Sequence, residues 1–138
     1  MTISVEVVRN FTRSNHRGVL ATERSDGRPQ LSPVLVGVDE DGSLVISTRE
    51  TAMKALNVRR QGWASLCVFS DGFFGEWVQV EGPARIESLP EVMEGLVRYY
   101  RLVVGEHPDW VDYRNAMQRE RRVLLRIDIE RVGPTRAG

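Results

Sequence analysis

Between Val123 and Glu130 apolar side chains recur at every second position: Val123, Leu125, Ile127 and Ile129 are interleaved with Leu124, Arg126, Asp128 and Glu130. A period of two belongs to a β-strand with one face on a core, because successive side chains leave opposite faces of the pleat. Such a strand needs neighbours, and five further strand-like runs supply them, at residues 18–22, 30–38, 44–47, 64–69 and 77–87. Ser25-Asp26-Gly27-Arg28, Asp39-Glu40-Asp41-Gly42 and Ser70-Asp71-Gly72 separate them with the Asp-Gly chemistry that hairpin turns favour. Pro29 and Pro33 mark the second run as an edge or bulged strand, where a ladder donor is dispensable.

Helical spacing fills the remaining stretches. Ser4 predicts an N-cap for a helix carrying Val5, Val8 and Phe11 to about residue 15. A short helix is expected over 51–60, opened by a hydroxyl cap and ending before Gly62. Pro90 opens another, with Val92, Leu96, Tyr99 and Val103 on one stripe and Gly105 closing it. A last helix runs from Asp109 to about Arg119, with Pro108 at its mouth. Six strands joined mainly by hairpins, with one short helix between the third and fourth, leave too few crossovers for a parallel sheet. The expectation is a mainly β chain with helices, one domain over 1–138, built as a six-stranded antiparallel barrel, closed or split.

Composition narrows the function classes. The chain's 138 residues are 41% apolar and 28% charged, ordinary globular values, and no apolar run approaches membrane-spanning length. The first residues show no signal-peptide pattern, and the single cysteine, Cys67, sits in a strand-like stretch and cannot form an internal disulfide. A cytoplasmic protein with a buried thiol is expected. Nineteen basic residues cancel nineteen acidic ones, so neither a nucleic-acid partner nor a membrane partner is expected. His16 and His107 are far apart, outside any metal-ligand spacing, and no phosphate-binding glycine loop or nucleophile elbow occurs. His107 lies in the helix-to-helix turn Gly105-Glu106-His107-Pro108-Asp109, where an ordinary capping or solvent role is expected. No catalytic residue and no metal ligand can be singled out, so any reaction would be carried by a bound cofactor.

One stretch stands apart. Of the nineteen basic residues only Lys54 is lysine, and it falls in Ser47-Thr48-Arg49-Glu50-Thr51-Ala52-Met53-Lys54-Ala55-Leu56-Asn57-Val58-Arg59-Arg60. A strand end delivers two hydroxyls, and a helix then starts with an ammonium in its first turn. Helix-start N–H groups, the helix dipole, hydroxyls and one cation together make a phosphate-sized anion site. Arg59 and Arg60 would add charge at the rim. A plain capped helix with a solvated lysine has the same spacing.

This segment resembles the split-barrel flavin and deazaflavin family, which includes pyridoxamine phosphate oxidases and oxidoreductases that use coenzyme F420. The stretches 18–22 through Asp26-Gly27-Arg28-Pro29-Gln30 and Trp77-Val78-Gln79-Val80-Glu81-Gly82 are similar across the family. Gly105-Glu106-His107-Pro108-Asp109-Trp110, Tyr113-Arg114 and Arg122-Val123-Leu124-Leu125 are similar to its short deazaflavin-dependent branch. The resemblance implies an F420-dependent oxidoreductase, with FMN as the alternative cofactor and a non-catalytic cofactor-binding protein as the alternative role. It implies that Gln30, Leu31, Ser32, Pro33 and Val34 run along the tricyclic ring, with Leu35 beyond them. Ser47 and Thr48 would stand near the ring, Lys54 on the phosphate, and Asn57 in the Asn-x-Arg-Arg signature. Trp77 would reach the site across a homodimer whose two chains share it, and Trp77, Trp110 and Tyr113 are candidates either to wall a small-molecule substrate pocket or to pack in a core or interface. Ala52 and Met53 depart from the family pattern, which often has an arginine there, so the phosphate grip would shift to Thr51, Arg49 or Arg59.

Overall fold

The computed structural model describes residues 3–134. Its strands are β1 (Arg17–Glu23), β2 (Pro29–Leu35), β3 (Gly37–Val38), β4 (Leu44–Arg49), β5 (Trp63–Phe69), β6 (Trp77–Glu87), β7 (Arg122–Ile127) and β8 (Arg131–Gly133). Its helices are α1 (Val5–Ser14), α2 (Met53–Gln61), α3 (Met93–Val103) and α4 (Trp110–Arg119). No helix among the described residues is long and apolar enough to cross a membrane. Every strand pair is antiparallel, in the order β2-β1-β5-β6-β7-β4-β3, with β8 on β6.

Two bent strands turn that row into a split barrel. β6 pairs with β5 through Trp77 to Pro83 and then with β7 through Ala84 to Glu87. β2 pairs with β1, and β3 pairs with β4 directly after it. The two ends of the row are thus one chain segment interrupted only by Val36. Counted as continuous paths, β2–β3 and β7–β8 restore the expected six strands.

Two expectations need correcting. The run 30–38 is not one strand: Val36 is buried and its N–H donates to the His16 carbonyl at 2.8 Å, outside either ladder. The last alternating run stops at Ile127 instead of continuing to Ile129. There the chain steps across β6, with Asp128 N–H donating to Pro83 O at 2.9 Å and Glu130 N–H to Glu81 O at 3.0 Å. The crossing is possible only over Gly82, because a Cβ there would run into the Asp128 carbonyl oxygen. β7 also buries both faces, not one: Leu125 and Ile127 point into the barrel, while Leu124 and Arg126 are covered from outside.

Two cores follow. Leu20, Leu44, Ile46, Leu66, Val80 and Leu125 fill the barrel, with Val8 of α1 and Val58 of α2 closing upon it. Leu96, Tyr99, Tyr113 and Met117 of α3 and α4 pack on Val45 and Leu124, the outward side of β4 and β7. Ser4 caps α1 as expected, its Oγ accepting from Val7 N–H at 3.1 Å, and Asp109 caps α4 in the same way. α3 starts at Met93, after a turn opened by Pro90.

Arg126 is 6% exposed and is held by two carboxylates and a hydroxyl. It donates to Asp39 Oδ2 at 2.9 Å, Ser43 Oγ at 2.7 Å and Glu87 Oε1 at 3.0 Å. Arg98 of α3 grips the same Asp39 with two bonds, at 3.0 and 3.3 Å. Burial alone would raise the Asp39 pKa, but the hydrogen bonds from Arg98 and Arg126 overcome it and hold the group at about 2.

Adding a methyl at the crossing, Gly82→Ala, should cost about 3 kcal/mol in urea unfolding, since backbone and not a flexible side chain stands in the way. The depressed Asp39 pKa means that its stabilising share is complete above the unfolded carboxyl pKa and is lost as pH falls toward 2. Asp39→Asn should therefore lower stability at pH 7 by about 3 kcal/mol, leaving Arg126 short of a partner, and should flatten the loss between pH 4 and 2. Denaturant midpoints across that range check both.

Candidate functional site

The split in the barrel lies between β2 and β4. β3 pairs with Leu44 and Val45 only, so β4 from Ile46 to Arg49 has a strand neighbour, β7, on one edge alone. β2 likewise has β1 on one edge alone. Two strand edges with unspent backbone donors and acceptors therefore diverge from Val36. Tyr99 of α3 reaches into the opening, its hydroxyl donating to Leu35 O at 2.8 Å. Burial pushes the Tyr99 phenol pKa up, so it stays a neutral donor.

At the far end of β4 the chain turns into α2. The expected hydroxyl cap is absent: a tight turn, Ala52 N–H to Arg49 O at 3.0 Å, leaves Thr51 exposed at its corner. Ala52 holds the cap position, and no side chain takes the first-turn donors. Ala55, Asn57 and Val58 are buried and fix α2 against the barrel's end. The Asn57 amide is spent inside the protein, donating to Thr22 Oγ1 at 3.1 Å and accepting from Arg60 at 3.2 Å. Its contribution is the placement of α2. Gly62, at φ 68°, ends the helix in the left-handed conformation that suits glycine.

This placement leaves Lys54 half-buried, with neither an ion pair nor a hydrogen bond among the described residues. Burial first, and the nearby Arg122 guanidinium second, lower its pKa below the ordinary lysine value. Arg49 and Arg122 stand directly opposite each other on β4 and β7. Glu120 is their one shared counter-charge, 2.9 Å from Arg122 and 3.5 Å from Arg49. Glu50 is taken by Arg121 at 2.7 Å. Two guanidinium groups thus share one carboxylate, and Lys54 lies near Arg122, so positive charge outnumbers its counter-charge here.

Two cavities meet at Arg122. One, of about 360 Å³, is lined by Leu35 and Ser47 from the two diverging strands and by Tyr99, Tyr113 and Met117 from the helices. The other, of about 300 Å³, lies beside Glu50, Ser88, Pro90 and Arg121. Arg59 points that way, its guanidinium on Ser88 Oγ at 2.9 Å.

The residues named from sequence are distributed as follows. Ser47 opens on the first cavity, whereas Thr48, its neighbour on the strand, is 3% exposed and faces the barrel interior, so the pair is split between two faces. On β2, Leu31, Pro33 and Leu35 point outward, while Gln30, Ser32 and Val34 turn to the half-buried side. Trp77 lies half-exposed on the outer face of β6, paired with Phe69, and shares no cavity with Tyr113 or Trp110 in a single chain. Cys67 is half-exposed on that same outer face, not buried as expected, because the inward positions of β5 go to Leu66 and Val68. Tyr99, Glu120 and Arg122 were not singled out for the site. Tyr99 reads as one more member of an apolar stripe, and its hydroxyl is the only local sign of another task.

This fold and site have relatives. The pyridoxamine 5′-phosphate oxidase family matches residues 4–136, and the chain belongs to it. A curated relative, the F420H(2)-dependent biliverdin reductase of Mycobacterium tuberculosis, is 30% identical over 126 residues, 88% of this chain and 81% of its own. A solved structure of a conserved hypothetical protein from Mycobacterium tuberculosis superposes with a TM-score of 0.76 at 26% identity, covering 96% of this chain and 84% of that one. A solved F420 reductase shares the fold at a TM-score of 0.67 and 18% identity, covering 86% of this chain and 90% of its own.

A half-buried ammonium beside a guanidinium destabilises the unliganded protein while it is charged, and the penalty lifts as pH rises through its lowered folded pKa. Lys54→Met should accordingly leave stability at pH 7 unchanged or raise it by up to about 1 kcal/mol. A clear drop in the unfolding midpoint would mean the ammonium has a structural partner.

Proposed function

We propose that this protein is a cytoplasmic oxidoreductase that binds the deazaflavin coenzyme F420 as a homodimer and reduces an electron-poor small molecule. The observation that carries this reading is the Lys54 ammonium, half-buried near Arg122 and without an ion pair or hydrogen bond among the described residues. The donor set fits an anionic cofactor tail: Lys54 and the uncapped first turn of α2 take the phosphate, with Arg49, Thr51 and Arg59 at the rim. The free edge of β2, from Gln30 through Val34, supplies polar groups along the planar ring, and Ser47 faces it from β4. Bound in reduced form, the deazaflavin supplies a hydride to an electron-poor C=C or C=N bond. The chain's own part is to grip the tail, fix the ring against β2 and hold substrate beside it. The curated relative's use of F420H2 favours the deazaflavin over FMN.

Dimerisation is supported by the outer face of β2, β1, β5 and β6. Leu31 is 60% exposed and Leu35 42%, with Val19, Phe69, Cys67 and Trp77 half-exposed alongside them on facing registers. Apolar groups exposed on this sheet face, interrupted by Arg17 between Leu35 and Phe69, favour a partner, and a symmetric second copy would bring its own Trp77 to the groove.

Titration with F420 and, separately, with FMN should quench tryptophan fluorescence more strongly for the deazaflavin. Lys54→Ala should weaken F420 binding by about 1.5–3 kcal/mol, the worth of a charged hydrogen bond. An unchanged dissociation constant would remove Lys54 from the site, and a monomer in sedimentation at micromolar concentration would remove the shared groove.

A further inference from the structure

Glu120 serves two guanidinium groups with one oxygen. Arg49 and Arg122 stand directly opposite each other on β4 and β7, where like charges repel. The closest contacts of both fall on Glu120 Oε1: Arg122 reaches it with Nε at 3.0 Å and Nη2 at 2.9 Å, and Arg49 with Nη2 at 3.5 Å. A guanidinium is satisfied best by two oxygens, one for each N–H of its fork. Here two forks share a single oxygen, and the Arg49 contact is too long for a good hydrogen bond.

The carboxylate is also brought there against local preference. Glu120 is the C-cap of α4, the end where the helix dipole disfavours negative charge. The next residue, Arg121, sits at φ 54°, in the left-handed region that a residue with a Cβ enters at a cost. That turn is fastened from the connection between β4 and α2: Glu50 N–H donates to Arg121 O at 3.0 Å, and the Arg121 guanidinium lies 2.7 Å from the Glu50 carboxylate. The hydrogen bond from Arg122 lowers the Glu120 pKa below its ordinary value, so the group is charged at neutral pH. A strained, clamped turn delivers this negative charge to two arginines, one of which lies near the half-buried Lys54.

We propose that Glu120 is an internal competitor: its carboxylate occupies the Arg49 and Arg122 guanidinium groups that the oxyanion tail of a ligand would take, and so sets how tightly such a tail is held. This rests on the anionic-tail reading of this end of the groove, not on which cofactor carries the tail. A phosphate or carboxylate with an oxygen for each fork satisfies both arginines better than the shared Oε1 does. Glu120 lines the cavity of about 360 Å³, so its side chain has open space to turn into once displaced. Binding at the arginines is then an exchange of one anion for another. Chloride, with no second oxygen to offer a fork, gains little from that exchange, whereas a ligand oxyanion gains a full set of hydrogen bonds. Lys54 has no such internal anion among the described residues and adds its attraction without exchange.

The test needs no cofactor, so its outcome is separable from that of the F420 titration. Inorganic phosphate is titrated into the full chain, with potassium chloride at matched ionic strength as the control, and the rise in unfolding midpoint reads binding to the folded state. Glu120→Gln, which keeps the shape and removes the charge, should bind phosphate about fivefold more tightly than wild type, the order of one solvent-screened charge pair. Glu120→Ala should show the same gain, which separates charge from packing, and adding Arg122→Gln to either variant should abolish it. In ¹⁵N-labelled wild-type protein phosphate should shift the Arg122 Nε–H signal, a response that a purely structural carboxylate would not give. A gain in Glu120→Gln beside an unchanged F420 constant for Lys54→Ala would uphold the competitor and discard the cofactor reading. Phosphate affinity unchanged or weaker in Glu120→Gln would mean that Glu120 organises the arginines instead of competing for them. That result, or no phosphate binding in any of these proteins, overturns the proposal.

Discussion

The constraint on which the described structure turns is strand pairing, which lapses between β2 and the far half of β4. A barrel removes sheet edges by closing on itself, yet here the first strand edge and the last are the same bent segment, β2–β3, which can follow only one neighbour at a time. After Val36 it pairs with β4; before Val36 it pairs with β1 and swings away. The gap is not an accident of loose packing, because Val36 has its own partner in His16 and Tyr99 plugs the start of the opening. What remains open is a stretch of β2 and of β4 with no strand neighbour on the facing edge.

Holding α3 in place is what keeps Tyr99 in that opening, and α3 is tied down by charge as well as by its apolar stripe. Asp39, in the turn between β3 and β4, is gripped by Arg98 of α3 and by Arg126 of β7. One carboxylate therefore links the bent strand, the helix and the strand beneath it. A buried ion cluster is a poor source of net stability, but it rejects misplacement, since any shift of α3 would pull Arg98 off Asp39 and break the link between helix and strand. The site thus depends on residues well removed from it in sequence.

That separation explains how far sequence reading could go. β6 was legible over its full length, Trp77 to Glu87, because alternation and turn residues are local. So was the Ser4 cap, which acts three residues on. The one-faced reading of β7 failed because Arg126 looks like a surface residue, and its burial depends on Asp39, eighty-seven positions away. The Thr51 cap failed for a smaller reason, a turn at Arg49 to Ala52 that carries the hydroxyl past the helix start. In the site, Lys54 and Ser47 were legible as residue types at a strand-to-helix junction. Asn57 was legible as a signature but not as a buried anchor, and Tyr99, Glu120 and Arg122 enter only through the packing of α3 and α4 onto the strands.

The choice of lysine at position 54 has a physical reading in this setting. A guanidinium there would present a planar fork suited to a carboxylate, and Glu120 stands nearby between Arg49 and Arg122. An ammonium is a compact point charge with no such geometric preference, and Arg122 repels it. Left half-buried and without an ion pair among the described residues, it is disfavoured in its charged form by burial and by Arg122. Elsewhere the chain pairs its arginines with acids in helix, hairpin and hub alike. Where cations are mostly matched, a lysine left unmatched near Arg122 among the described residues is consistent with the phosphate role proposed for it.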